Sequence, residues 1–286
     1  MKPYLHHAPH PTAPVVVILP GVNSGPYLFE GAVAALGDTH RLIIANPPGC
    51  GGTPMPMPLT AETYARTVLA LLDDMQVEGS FSLLGHSLGS FAAQELARVA
   101  PERVERLILA STSIGQPYMA RDTLAIRGVT GMSFWDLSRA IAKDPATHMK
   151  HFFGPAFPVQ NAQAYLDFIA KRQANLAPKQ VTVAQFAAGG AFSSYRWAHN
   201  LTPPTLVVQG GADILTPASS ARKLAQFIPN ARYLEFYGVG HFPMLEHEGF
   251  YPSIKRFLLG HAEGEVLDDH VGVWEKLQRS WLRLHG

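Results

Sequence analysis

The sequence predicts an α/β fold, a mostly parallel doubly wound sheet that carries an inserted, mainly helical lid. Two observations predict the sheet: short runs of β-branched and aliphatic residues recur along the chain, and amphipathic helical stretches separate them. A third predicts the lid, because this alternation stops for about 85 residues in the middle of the chain.

Buried strands are predicted where aliphatic residues run together between turn signals. These runs lie at residues 14–19, 41–45, 81–84, 106–110, 205–208 and 233–236. Helices are predicted at residues 27–36, 61–75, 88–100 and 218–228. Only 13 residues precede the first run, so we expect the amino-terminal edge of the sheet to be short.

This pattern divides the chain into a core and an insertion. We predict the core at residues 1–113 and 200–260 and the helical lid at residues 114–199. The lid holds 12 of the chain's 28 aromatic residues, most of which we expect to pack the lid's own small core. Some should line the cavity that the lid closes, and the candidates are Phe134, Trp135, Phe152, Phe153 and Trp197.

Residues 261–286 form a predicted extension. Apolar residues recur there at helical spacing, which predicts an amphipathic helix; they are Trp274, Leu277, Trp281 and Leu284. Such a helix either packs on the body of the protein or forms a dimer contact, so both a monomer and a homodimer stay open.

The composition excludes several classes of protein. A chain of 286 residues that is 47% hydrophobic and 16% charged is too apolar for a disordered protein. Its formal net charge of +1 argues against a dedicated nucleic-acid binder. No run approaches the roughly 18 apolar residues of a membrane span, and the first 14 residues lack a secretory signal. The single cysteine, Cys50, fits a reducing compartment, so we expect a cytoplasmic protein.

The segment Gly85-His86-Ser87-Leu88-Gly89 has the pattern G-x-S-x-G. It follows a predicted strand and opens a predicted helix, which is the context of a nucleophile elbow. Glycines are expected on both sides because a Cβ there collides with neighbouring backbone in so sharp a turn. We interpret Ser87 as a catalytic nucleophile rather than an ordinary helix-capping serine.

A serine nucleophile needs a general base and a group that orients the base. Asp213 and His241 each follow a predicted strand, at the edge where doubly wound sheets place their sites. The loop after the fourth predicted strand contains no carboxylate, which leaves Asp213 as the acid. Among 13 histidines, His241 alone lies in a fitting loop, and we expect His86 to point away from Ser87. No His or Cys pair has metal-ligand spacing, so neither a metal nor another cofactor is predicted.

Backbone N–H groups are also required, to hold the oxyanion of a tetrahedral intermediate. One candidate is Leu88, immediately after the nucleophile. The other is Val22, in the loop after the first predicted strand, where Gly21 lets the backbone approach closely.

Together these residues resemble the α/β-hydrolase superfamily, and the likeness extends from residue 14 to residue 260. Members typically use G-x-S-x-G, an aspartate in G-x-x-D-x-x-x-P and a late G-H. Ser87, Asp213 with Pro217, and Gly240-His241 match these motifs position by position. The most similar branch contains small cytoplasmic carboxylesterases, lactonases, medium-chain polyhydroxyalkanoate depolymerases and biotin-pathway carboxylmethyl esterases. Relatives commonly have D-x-x-G-x-G-x-S after the second strand, whereas this chain reads N-P-P-G-C-G-G-T.

The resemblance implies a serine hydrolase that cleaves a small-molecule carboxylic ester through a Ser-His-Asp triad and an acyl-enzyme. Other reactions on the same triad stay open. They are ester or thioester cleavage on an acyl-carrier-protein-bound chain, acyl transfer and cofactor-free perhydrolysis. A non-catalytic ligand receptor has no need of a complete triad.

The charge distribution bears on the partner. Residues 116–198 contain nine basic and four acidic residues, a local charge of +5, so the rest of the chain carries −4. A positive surface over the site could attract an anionic partner, such as an acidic acyl-carrier protein or a carboxylate-bearing acyl chain. The alternative is a solvated face with no partner.

Overall fold

The structure is a computed structural model that describes residues 4–8 and 12–260, with the side chains of residues 120–123 left aside. The predicted carboxy-terminal extension, with its stripe from Trp274 to Leu284, lies outside the described residues.

One seven-stranded sheet runs through the described part of the chain. Its strands are Tyr4–His7 (β1), Val15–Leu19 (β2), Arg41–Ala45 (β3), Phe81–His86 (β4), Val104–Ala110 (β5), Thr205–Gly210 (β6) and Ala231–Phe236 (β7). The order across the sheet is β1-β3-β2-β4-β5-β6-β7, and every neighbouring pair is parallel except β1 with β3. The predicted mostly parallel α/β architecture is therefore confirmed.

The first strand, β1, is absent from the sequence prediction, which places His6 and His7 before the sheet. In the structure Tyr4–His7 pairs antiparallel with Arg41–Ala45 at the edge of the sheet. Its side chains are exposed or half-buried, because an edge strand has one open side. A strand of four residues without a buried face carries no apolar run, and apolar runs are the signal on which the prediction depends.

Twelve α-helices lie within the described residues. They are Glu30–Leu36 (α1), Ala61–Asp74 (α2), Leu88–Val99 (α3), Met119–Thr130 (α4), Phe134–Lys143 (α5), Pro145–His148 (α6), Phe157–Gln160 (α7), Ala162–Ala174 (α8), Lys179–Ala191 (α9), Ala218–Phe227 (α10), Pro243–Glu246 (α11) and Phe250–Leu258 (α12). Short 3-10 helices occupy Pro26–Phe29, Pro101–Arg103, Met149–Phe152 and Ala198–Asn200. None of the helices described is both long enough and apolar enough to span a bilayer.

Two hydrophobic clusters cover the two faces of the sheet. Alternate residues of β2 point to opposite sides, so Val16 and Ile18 join one cluster while Val17 and Leu19 join the other. Helices α1 and α12 pack on the first face, and α2, α3 and α10 pack on the second. Burial on both faces explains why the central strands read as unbroken apolar runs.

Six helices, α4 to α9, lie between β5 and β6, where the sequence predicts the lid (residues 114–199). The two ends of this segment meet in a short antiparallel bridge between Gly115 and Ser193. Backbone hydrogen bonds from Gln116 N–H to Phe192 O (2.9 Å) and from Ser194 N–H to Ile114 O (2.9 Å) close the junction. The insertion thus leaves and re-enters the core at one place, although its status as a separate domain stays a prediction.

Helix α3 packs unusually closely on the sheet at Gly89. A Cβ added to Gly89 would lie 1.9 Å from the carbonyl oxygen of Leu19, at the end of β2. Because this oxygen belongs to the backbone, no side-chain movement relieves the clash. Gly128, in α4, has no atom within 4 Å of a Cβ built on it.

Gly89→Ala is therefore expected to lower the free energy of unfolding by about 3 kcal/mol or more, because α3 must move off the sheet. The matched control Gly128→Ala should raise it by about 0.5–1 kcal/mol, since alanine is the better helix former at an open site. Urea denaturation of both variants measures the difference. An equal stability of the two variants contradicts the close approach of α3.

Candidate active site

Ser87 lies in the sharp turn between β4 and α3. Its backbone has φ 54° and ψ −125°, a conformation that L-residues rarely adopt and that costs about 1–3 kcal/mol. The Ser87 N–H donates to the carbonyl of Ala110 (3.0 Å), the last residue of β5. Gly85 makes the turn possible, since a Cβ there meets the Ser90 Cα at 2.5 Å. The turn holds the half-buried Ser87 side chain on the wall of a cavity.

Asp213 and His241 form a buried pair beside that cavity. Nδ1 of His241 lies 2.8 Å from Oδ2 of Asp213. Asp213 accepts further hydrogen bonds from Leu215 N–H (2.8 Å), Thr216 N–H (3.1 Å), the Thr216 hydroxyl (2.7 Å) and the Gln209 amide (3.0 Å). Burial alone raises the pKa of the Asp213 carboxyl, but His241 and these donors outweigh burial and hold that pKa below its usual value.

The carboxylate of Asp213 fixes the tautomer of His241. An ionised carboxylate only accepts hydrogen bonds, so Nδ1 carries a proton, and in the neutral imidazole the lone pair is then on Nε2. Ser87 and His241 both line the cavity. Among the residues that the structure describes, no hydrogen bond joins the Ser87 hydroxyl to the imidazole. The structure thus places an oriented imidazole and a serine hydroxyl at the same cavity.

The loop that carries His241 is fixed from both sides of its backbone. The His241 N–H donates to the Phe152 carbonyl (2.6 Å), which belongs to the predicted lid. The His241 carbonyl accepts from the Ser111 hydroxyl (2.9 Å) and from Nε2 of His86 (2.8 Å). The imidazole therefore has little freedom to move relative to the sheet.

His86 belongs to the site, although its place beside Ser87 in the sequence predicts a side chain that points away from that serine. Its ring lies on the cavity wall with its centroid 5.0 Å from that of His241. Burial lowers the pKa of His86 to about 3, so the ring is neutral near pH 7. A neutral ring whose Nε2–H donates to a carbonyl supports the loop and is not a general base.

Glu246, at the end of α11, is a site residue that sequence reasoning missed. One carboxylate oxygen accepts from Gly154 N–H (2.6 Å) and Gly240 N–H (2.9 Å), and the other accepts from Phe242 N–H (3.1 Å). Burial raises the pKa of this carboxyl despite the three donors. Glu246 thereby joins the predicted lid to the residues on either side of His241. The one signal in the sequence is a charged residue within the apolar stretch that follows Gly240-His241.

The candidate oxyanion donors are unused by the protein itself. No acceptor among the described residues pairs with the backbone N–H of Val22 or of Leu88. Val22 lies on the cavity wall, and Leu88 is the first residue of α3, where N–H groups have no partner within the helix. The neighbouring Asn23 N–H is already taken by the Gln185 side chain at 3.0 Å. Of the adjacent N–H groups of Val22 and Asn23, only that of Val22 is therefore free to bind a ligand.

A cavity of about 670 Å³ opens beside Ser87 and extends under the predicted lid. Two of the aromatic candidates, Trp135 and Phe152, line it, and so do Phe168 and Phe186, which were not singled out. The other three candidates lie elsewhere. They are Phe134, which packs edge-on against Trp135 and Phe186; Phe153, which is buried among Phe157, Phe168 and Phe242; and Trp197, which packs on Phe192 and Arg98. Helical spacing cannot separate an aromatic that packs the lid's interior from one that lines the cavity.

No group of three or more His, Cys, Asp or Glu side chains capable of holding a metal ion occurs among the described residues.

Known proteins resemble this chain both in sequence and in structure. Residues 14–248 match the family model for the alpha/beta hydrolase fold. The chain is 32% identical over 246 residues to a pimeloyl-[acyl-carrier protein] methyl ester esterase of Aromatoleum aromaticum, over 82% of this chain and 93% of that protein. It is 30% identical over 259 residues to the polyketide synthase ThaQ of Burkholderia thailandensis, over 86% of this chain but only 12% of the synthase. A hydrolase from Pseudomonas aeruginosa PA01 superposes with a TM-score of 0.74 at 24% identity, over 90% of this chain and 94% of that one.

Glu246→Ala is expected to lower the free energy of unfolding by about 2–4 kcal/mol, because three backbone N–H groups lose their acceptor. It should also lower kcat by about 10- to 100-fold, because His241 loses its support. Glu246→Gln keeps one acceptor oxygen, so its free energy of unfolding and its kcat should lie between those of the wild type and of Glu246→Ala. The matched control Glu248→Ala, at an exposed position, should change stability by less than about 0.5 kcal/mol. Wild-type kcat in Glu246→Ala rules out the positioning role.

Proposed function

Because the chain belongs to the α/β hydrolase family and is an ester hydrolase, we propose that it cleaves carboxylic esters through Ser87, His241 and Asp213. The observation that carries this proposal is the buried Asp213–His241 pair, whose imidazole lines the same cavity as Ser87. The five hydrogen bonds that Asp213 accepts keep it ionised, and an ionised Asp213 keeps the lone pair of His241 on Nε2.

The reaction begins when Nε2 of His241 removes the proton of the Ser87 hydroxyl as that oxygen attacks the ester carbonyl. The Ser87 hydroxyl does not bond to the imidazole in the free protein, and we expect this hydrogen bond to form when substrate is bound, as is common for catalytic contacts. Asp213 stabilises the imidazolium that forms. His241 then protonates the leaving alcohol, which leaves an acyl group on Ser87. Water, deprotonated by His241, then attacks the acyl-enzyme. The imidazolium returns that proton to the Ser87 oxygen as the bond between this oxygen and the acyl carbon breaks, which releases the carboxylic acid.

The N–H groups of Val22 and Leu88 are proposed to hold the oxyanion. Both lack a protein acceptor within the described residues, so they can donate to a substrate oxygen without breaking an existing bond. Donors that are oriented before the reaction lower the barrier most, because they need no reorganisation as charge develops. Hydrogen bonds from Asn23 to Gln185 and to Thr182 (2.7 Å) fix the loop that presents Val22.

The substrate is proposed to be a small-molecule ester with an apolar acyl group. A cavity of about 670 Å³ is in the usual range for small-molecule sites. Its walls are largely apolar, with Met149, Phe168, Leu176 and Phe186 among them.

A carrier-protein-bound ester is the second candidate substrate. Two observations favour it: the local charge of +5 over residues 116–198, and the similarity to a pimeloyl-[acyl-carrier protein] methyl ester esterase. Acidic partners associate faster with a positive surface, and salt weakens the attraction.

Location and oligomeric state remain sequence predictions. Cys50 is buried and free, in keeping with a reducing, cytoplasmic environment. Both a monomer and a homodimer stay open.

Ser87→Ala is expected to lower kcat/KM on p-nitrophenyl esters by at least about a thousandfold, because no other group forms the acyl-enzyme. The control Ser80→Ala, at an exposed position, should match the wild type. A panel of esters from acetate to palmitate reports the length of acyl chain that the cavity admits. Turnover by Ser87→Ala at the wild-type rate excludes Ser87 as the nucleophile.

For the carrier-protein candidate, kcat/KM on a carrier-bound methyl ester should fall steeply between low and high ionic strength. When the same methyl ester is attached to a short neutral thiol instead of the carrier, kcat/KM should depend little on ionic strength. Equal salt dependence for the two substrates excludes electrostatic attraction of the carrier by the lid.

A further inference from the structure

Among the described residues, the lysine, arginine, aspartate and glutamate side chains that line the cavity are all cationic. They are Arg139, Lys143, Arg172 and Lys179. Arg139, Lys143 and Lys179 are exposed, and Arg139 is paired with Asp136 at 2.5 Å. Arg172 differs from them because it is half-buried.

Arg172 lies in the last turn of α8, and no carboxylate among the described residues pairs with it. The neighbouring Lys171 is paired with Glu30 at 2.6 Å. This turn of α8 thus has one acidic partner, and it is bound to Lys171 and not to Arg172. Burial lowers the pKa of the guanidinium, which nevertheless stays protonated near pH 7. The carboxyl end of a helix favours a cation, but this favourable position does not replace the lost hydration of a guanidinium.

A ligand that carries a carboxylate supplies what this guanidinium lacks. Arginine presents a planar fork of donors that matches a carboxylate, and the resulting charge-assisted hydrogen bonds are strong where water is partly excluded. Phe168 and Leu176, four residues before and after Arg172, contribute apolar side chains to the same cavity. An apolar acyl chain along these side chains can therefore end at the guanidinium.

We propose that the substrate is an ester whose acyl chain ends in a carboxylate, and that Arg172 binds this carboxylate and sets the preference for it. This inference rests on the proposed ester hydrolysis and narrows its substrate to half-esters of dicarboxylic acids. The ester carbonyl lies at Ser87 while the free carboxylate lies at Arg172, and both line one cavity.

Two esters of matched length test the inference: mono-p-nitrophenyl adipate, which is anionic, and p-nitrophenyl hexanoate, which is neutral. They share a leaving group and differ in whether the acyl chain ends in a carboxylate or a methyl group. The wild type should prefer the anionic ester by at least about tenfold in kcat/KM. Arg172→Gln should lower this preference by about 10- to 100-fold, mainly through KM, and Arg172→Lys should restore part of it because the positive charge returns.

Arg127→Gln is the matched control, because Arg127 is an exposed arginine of the same predicted lid and does not line the cavity. It should keep the wild-type preference, and thermal unfolding of each variant verifies that it is folded. Ser87→Ala separates the two levels of the proposal. If Ser87→Ala is inactive on both esters, ester hydrolysis through Ser87 is supported. If the wild type then has the same kcat/KM on the two esters, the carboxylate inference is overturned. Retained activity of Ser87→Ala overturns the proposed function itself.

An unchanged preference in Arg172→Gln also overturns the inference, since the anionic ester is then recognised by other groups. A loss of preference that is equally large in Arg127→Gln points to the general charge of the lid and likewise overturns it.

Discussion

The site depends on one strained turn. Ser87 joins β4 directly to α3 with a positive φ, and the chain can adopt this conformation only because residues 85 and 89 have no Cβ to collide with the backbone around them. The turn presents the serine side chain at the carboxyl edge of a parallel sheet. It also makes Leu88 the first residue of α3, so the N–H of Leu88 has no partner within the helix. Packing of the apolar strands on both faces supplies the rigidity that keeps the turn strained.

Segments that are far apart in sequence position His241 and the loop of Val22 relative to this turn. The predicted lid contacts the core through Phe152, which accepts from the His241 N–H, and through Gly154, which donates to Glu246. It also contacts the loop after β2 through Gln185, whose side chain binds Asn23 N–H and the carbonyl of Pro48. His241 and the proposed oxyanion loop are thus each held by hydrogen bonds from the predicted lid.

The sequence predicts those features that local patterns encode. Central strands are apolar runs because both faces of the sheet are buried. Ser87 follows such a strand directly, and Asp213 and His241 lie in the loops after β6 and after the edge strand β7. Features that arise from contacts distant in sequence are not encoded in this way. Strand β1 has no buried face, Glu246 acts on backbone groups of two separate segments, and Phe153 differs from Phe152 only in the direction of its side chain. That Arg172 has no acidic partner among the described residues likewise depends on how the lid segment folds over the cavity.

Covalent labelling tests whether the strained turn and the Asp213–His241 pair make Ser87 uniquely nucleophilic. The protein is treated with a p-nitrophenyl alkylphosphonate, which reacts with an activated serine and releases one p-nitrophenolate, and the peptides are then mapped by mass spectrometry. We expect one adduct per chain, located on Ser87, and formed far more slowly when Asp213 is replaced by asparagine. An adduct on another residue, or labelling of Ser87 at an unchanged rate without Asp213, contradicts this role of the turn and the pair.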